Sequence, residues 1–259
     1  MYVATDSRLS WSAHDGSVLG VWDQGRKVFA SRTRPIVCGY QGDVLFPSMI
    51  LSQFIDALDH GAGSKPRRHG VLFDELEKLV RDSHGAQPAF ARRAPFQVVY
   101  GARVGEKMGS EFQVYYLRWT GKTWQSGPEA LPAASEPVVI WGSGRAAVKK
   151  WRSYWDRSSQ GGTSRAIFSA FSDAIDSKTD RLSGGASQLV GLYRIGDGQA
   201  FGTFLGDSAH VFGLPAGPFI RSGIAPVEWR NRYLERCNSN GDLVKGAKVH
   251  HVPKGLGGT

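Results

Sequence analysis

Apolar residues recur along this chain in two rhythms, and the switching between them sketches a fold. Short runs of strand character occur at YVATDSRLSW (2–11, turning after its first half), RKVFAS (26–31), PIVCGY (35–40), FQVVYGARV (96–104) and EFQVYYLRW (111–119). A polar SRTR turn joins the second and third, and a Gly-containing loop joins the last two. Helical spacing then appears after Pro47, at Ile50, Leu51, Phe54, Ile55 and Leu58. It returns over 71–82, at Leu72, Leu76, Leu79 and Val80, after the loop GAGSKPRRHG. PVVIWGSG (137–144) reads as a buried strand running into a glycine turn. A second helix pair follows, with Val148, Trp151 and Trp155 on one helix and Ile167, Ala170, Phe171 and Ile175 on the next, capped by Thr163 or Ser164. SQLVGLYRIG, QAFGTFLGD and SAHVFGLP read as strands, and PVEWRNRYLERC (226–237) as a last amphipathic helix. Each helix pair leaves strands and returns to strands. That order predicts an α+β fold, a four-layer αββα sandwich with two antiparallel sheets between helix layers. It occupies a single domain, 1–237, followed by a flexible basic tail, 238–259, in which His250 and His251 are exposed to solvent.

Composition narrows the setting. The chain has 259 residues, 41% hydrophobic and 21% charged, as a soluble globular domain does. No run of about 18 apolar residues offers a membrane span. The cysteines, Cys38 and Cys237, are too few for a disulfide framework, so a cytoplasmic, reducing setting is expected. Cys38 sits in IVCGY as a small buried hydrophobe. The formal net charge of +9 raises nucleic acid as a partner, but the excess is dispersed. It falls on Arg32 and Arg34, on 65–68, on Arg92 and Arg93, on 149–152 and on the tail. The seven histidines have no metal spacing, and neither metal nor cofactor is expected. Trp141, Trp151 and Trp155 read as packing residues rather than a base-stacking platform.

Candidate chemistry lies in short polar motifs beside the apolar elements. These are TDSR (5–8), RK (26–27), GYQGD (39–43), GSG (142–144) and DRLSGG (180–185). Singly, TDSR is a surface turn with a local ion pair, GSG a helix entry or anion nest, and DRLSGG a polar turn launching a strand. In this order, over roughly residues 2–215, the chain resembles the proteasome-type branch of the N-terminal-nucleophile hydrolases, which includes proteasome β subunits and simpler bacterial relatives.

The resemblance implies an amide or peptide hydrolase whose nucleophile is the hydroxyl of the mature chain's first residue. That residue's own amine, with an ordinary pKa near 8, assists as a base. By matching position, Asp180 and Ser183 surround the amine, Ser143 touches it, and Gly184 lets backbone approach. Asp6 is the buried carboxylate that pairs with Lys27, Arg8 braces the site, and the N–H of Gly42 helps form an oxyanion hole.

One feature departs from the pattern. Only Met1, Tyr2, Val3, Ala4 and Thr5 precede Asp6. YVATDSR matches the family's second strand, so the nucleophile strand is missing and no residue of this chain is assigned as nucleophile. The chain as written is therefore expected to be an inactive hydrolase homologue, truncated at its N terminus. The alternatives are a non-catalytic assembly subunit of a proteasome-like complex and, third, a basic nucleic-acid-binding module. A homo-oligomer is expected, with a peptide or amide substrate for an intact form, no membrane and no nucleic acid.

Overall fold

The computed structural model describes residues 1–13, 15–63, 69–217 and 227–250. The first strands in chain order are β1 (Tyr2–Thr5), β2 (Leu9–Ser12), β3 (Val18–Trp22), β4 (Val28–Ala30) and β5 (Ile36–Gly42). Helices α1 (Leu45–Asp59) and α2 (His69–Ala86) precede β6 (Phe96–Val104), β7 (Glu111–Trp119) and β8 (Trp124–Glu129). After α3 (Arg145–Trp155) and α4 (Ser164–Asp176) come β9 (Gln188–Gly191), β10 (Gln199–Leu205), β11 (Ser208–Val211), β12 (Leu214–Pro215), β13 (Glu228–Arg230) and β14 (Arg236–Cys237).

The chain divides into two compact units. The first comprises Met1–Val3, Lys27–Leu131 and Val190–Ala200. Its frame is an antiparallel sheet in the order β4-β5-β6-β7-β8. β6 and β7 pair without a break from Phe96↔Trp119 to Val104↔Glu111. α1 and α2 set Ile50, Leu51, Phe54, Leu72 and Leu76 into one apolar cluster with Phe96, Val98, Tyr100 and Leu117 of the sheet. Cys38 belongs to the same cluster, and burial pushes its thiol pKa well up. Pro47 stands in the first turn of α1, where its missing N–H would have had no helical partner.

The last residue of α1 holds the SRTR turn. Asp59 accepts from Ser31 Oγ at 2.5 Å, Arg32 N at 3.0 Å and Thr33 Oγ1 at 3.1 Å. Burial raises the Asp59 pKa, but these hydrogen bonds outweigh it and hold the carboxyl below its ordinary value. A depressed folded pKa contributes stability above the unfolded value near 3.9 and loses it as pH falls through the folded one. Asp59→Asn should therefore lower the melting temperature at pH 7, and the gap to wild type should close in acid, as pH falls below the ordinary carboxylate range and through the folded pKa. A gap that persisted there in thermal melts would refute the assignment.

The second unit comprises Ala4–Arg26, Pro132–Leu189 and Phe201–Thr259. β2 and β3 form a two-stranded antiparallel hairpin. α3 and α4 pack on each other around the fully buried Trp155, with Ala166, Ala170, Trp151 and Tyr233. The Thr163 side chain caps α4 by accepting from Ala166 N at 3.2 Å. β11 turns into β12 through Phe212 and Gly213, with φ of 54° and 84°, the left-handed pair that a two-residue hairpin turn requires. β13 runs parallel to β10, and Gly202 permits it: a Cβ there would stand 2.2 Å from the Trp229 ring. In the seven-stranded sheet the order is β1-β9-β10-β11-β12, with β13 beside β10 and β14 beside β13. β1, β9 and β10 each contribute residues to both units.

Several expectations are corrected. The described residues 227–237 do not form a helix. Val227 precedes β13, and a turn then returns the chain to β14. Asn231 Oδ1 accepts from both Tyr233 N and Glu235 N at 3.0 Å, and Leu234 adopts φ 57°. A side chain that bonds its own backbone this way displaces the helical ladder. The run 137–141 is half buried and forms no strand. β3 and β8 were not anticipated. Residues 238–250 make defined contacts: Asn238 Oδ1 accepts from Asn240 N and Asp242 N, and Cys237 bridges to Leu243. His250 is buried and stacks on Trp155 at 5.1 Å, so it is not solvent-exposed. His251, the rest of the expected tail and the basic run 65–68 lie outside the described residues.

Candidate functional site

The second unit gathers three motifs that lie far apart in the chain. GSG is the turn that enters α3, and DRLSGG follows α4 shortly before β9. Asp180 joins them. Its Oδ2 accepts from Ser143 Oγ and from Ser183 Oγ, both at 2.6 Å. Its Oδ1 accepts from Leu182 N at 3.1 Å, an Asx turn that shapes the DRLSGG loop. Partial burial raises the Asp180 pKa. The bonds from Ser143, Ser183 and Leu182 and the field of Arg8 outweigh it, so the carboxyl sits below its ordinary value.

TDSR meets the same loop. Asp6 Oδ2 accepts from Gly184 N at 3.0 Å and from Arg8 N at 3.2 Å. Gly184 O in turn accepts from Ser7 N at 3.1 Å and Arg8 N at 3.0 Å. The Arg8 guanidinium reaches two ways. Nε and Nη2 grip both oxygens of Asp23 at 2.7 and 2.9 Å. Nη1 donates to the carbonyls of Arg181 at 3.2 Å and Ser183 at 3.3 Å. The Arg8 pKa is raised first by its bonds to Asp23, then by the fields of Asp23, Asp6 and Asp180, against the effect of burial.

Glycines are required where these loops touch. A Cβ on Gly184 would lie 2.4 Å from Arg8 Cζ, and one on Gly144 2.8 Å from Ser183 Oγ. Gly185 combines φ 70° with a would-be Cβ 2.3 Å from Ser7 Oγ.

Asp6, Arg8, Ser143, Asp180, Ser183 and Gly184 thus come together within one unit. Lys27 and Gly42 belong to the other unit. Lys27 precedes β4, and its carbonyl accepts from Tyr40 N at 3.1 Å. Gly42 ends β5 at φ 98°, and a Cβ there would lie 2.4 Å from Pro95 O, so its backbone demands glycine. Two participants were missed. Asp23 carries no motif of its own. Gln188 Nε2, buried, donates to Asp6 O at 3.0 Å and Gly25 O at 2.7 Å. Its signal was legible: a lone amide inside the apolar run ASQLVGL. Among the described residues no cluster of His, Cys, Asp and Glu could hold a metal ion, and no helix is long and apolar enough to cross a membrane.

No family model and no curated protein matches the sequence. Solved structures do. Anbu (ancestral beta-subunit) from Yersinia bercovieri is similar with a TM-score of 0.51 at 13% identity, over 73% of this chain and 75% of that one. Anbu from Hyphomicrobium sp. strain MC1 gives 0.46 at 11% identity, over 77% of this chain and 82% of that one. The helical assembly of the Anbu complex from Pseudomonas aeruginosa gives 0.47 at 13%, over 83% and 80%. The first likeness establishes the fold class as an α+β sandwich of the Anbu and proteasome type.

Proposed function

We propose that this chain is a proteasome-like hydrolase homologue whose Ser143, Asp180 and Ser183 receive an ammonium group. One observation carries the reading. Both hydroxyls donate to Asp180 Oδ2, so the lone pairs of both serine oxygens stay available as acceptors beside a carboxylate. A group with several N–H donors and a positive charge answers that arrangement. The fields of Asp6, Asp23 and Asp180 all act on Arg8, so carboxylates concentrate here. In the family that the motifs resemble, the occupant is the amine of the first residue, whose hydroxyl attacks a carbonyl to give an acyl-enzyme that water releases. Asp6, in the same unit, takes its family role as a further carboxylate of the site in this reading. The chain works as a subunit of a homo-oligomer, and the hairpin side chains Trp11, Leu19 and Trp22 offer exposed apolar surface for assembly.

The test compares two polypeptides on fluorogenic peptides, one starting at Met1 as given and one extended upstream to a processed Thr or Ser. The short form has no hydroxyl on its first residue and is expected to be silent. The long form is expected to turn over and to lose turnover when that hydroxyl is removed. Turnover by the short form that survives Thr5→Ala would overturn the mechanism. Silence from both forms, with assembly intact by light scattering, would select the non-catalytic subunit instead.

A further inference from the structure

We infer that Asp23 is a positioning residue of this site, acting through Arg8 on the loop that presents Asp180 and Ser183. The inference rests on the site proposed above. Arg8 is the residue before β2 and Asp23 the residue after β3, and the strands pair next to them at Leu9↔Trp22. The Arg8–Asp23 fork therefore closes the open end of the hairpin. It also fixes the guanidinium plane, because two parallel N–H···O bonds leave it no rotation. The remaining nitrogen is thereby aimed at the carbonyls of Arg181 and Ser183, on either side of Leu182. Gly184 shows how close the fit is, since no Cβ can stand there without displacing the guanidinium.

Asp23 has a second effect. Asp180 also attracts Arg8. With both forward nitrogens engaged by Asp23, Arg8 does not turn to Asp180, whose Oδ2 is left to Ser143 and Ser183. Without Asp23 the guanidinium is free to compete for that carboxylate, and the serine oxygens lose the orientation that makes them acceptors. The backbone adds its own tie, Ser7 Oγ donating to Asp23 O at 2.6 Å, so a change of the Asp23 side chain leaves the chain path anchored.

The experiment is a carboxyl-carbon NMR titration of Asp180 in the full chain, with thermal melts alongside. In Asp23→Asn, the Asp180 midpoint should move by more than about half a unit from wild type, because its charged neighbours have been rearranged. Asp23→Glu should bring it back toward the wild-type value. Arg8→Lys, which can neither form the fork nor reach the loop carbonyls at the same time, should also move the Asp180 midpoint, and it serves if Asp23→Asn does not fold. A lowered melting temperature with an unmoved Asp180 midpoint would show a purely structural clamp and overturn the inference. The readout needs no turnover, so failure of the hydrolase reading in peptide assays leaves it standing or falling on its own result.

Discussion

In a form extended to a processed N-terminal hydroxyl, Asp180→Asn is expected to lower kcat/KM by about 100-fold or more, the range of a lost preorganised electrostatic partner. The reason lies in donor and acceptor roles. Asp180 Oδ2 takes hydrogens from Ser143 and Ser183 at 2.6 Å each, and the carboxylate has only acceptors to offer. An asparagine can keep one carbonyl oxygen, but it brings an NH2 group and no charge. With its oxygen in place of Oδ2 it keeps both serine bonds but turns the NH2 on Leu182 N; turned the other way it sets the NH2 against both hydroxyls, and in either case the charge that attracts an ammonium is gone. The pH profile gives a second readout. With its pKa held below the ordinary carboxylate value near 4, Asp180 stays ionised through the whole neutral and mildly acid range. Any loss of activity between about pH 7 and 5 must then belong to another group, and Asp180→Asn should leave that limb in place while lowering the whole curve. Steady-state rates equal to those of the parent would remove Asp180 from the mechanism.

The fold was legible in the sequence wherever burial follows a period. α1, α2, α3 and α4 were visible because Leu51, Leu76, Trp155 and Ala170 recur with partners three and four residues away, and each is fully buried. The same rule failed at 227–237. Trp229, Tyr233, Leu234 and Cys237 have helical spacing, but Asn231 bonds its own backbone and turns the chain, a local choice no period records. It failed again at 137–141, where apolar character marks partial burial rather than strand pairing. β3 was hidden because its valines, Leu19 and Trp22 lie mostly exposed on a hairpin. The site was legible as order: Asp6, Arg8, Ser143, Asp180 and Ser183 are spread across the chain, and only a known pattern joins them. Asp23 was not legible, because its importance comes from one partner, Arg8, fifteen residues away across a hairpin.

The largest stability effect is expected from Trp155→Ala, about 3–5 kcal/mol in the free energy of unfolding. Trp155 is fully buried between α3 and α4, against Ala166 and Ala170. Small residues face it, so they cannot fill the space that its removal would leave. It also has a polar task. Trp155 Nε1 donates to Asp173 Oδ2 at 2.7 Å, and Asp173, itself buried, accepts from Arg232 as well. Trp155→Phe separates the two contributions. It keeps most of the apolar area but takes one donor from a buried carboxylate, which costs about 1–3 kcal/mol. His250 covers the ring at 5.1 Å and Tyr233 approaches it at 6.3 Å. Arg165 Nη1 further ties Lys248 O at 2.5 Å, so the segment before His250 is held to α4. Ending the chain at Cys237 should therefore uncover Trp155 and lower stability in its own right. Because residues in contact couple, the truncation should cost less in a Trp155→Ala background than in wild type. Urea unfolding followed by circular dichroism reads all four proteins. Strictly additive losses would mean that the C-terminal segment stabilises the unit somewhere other than at this ring.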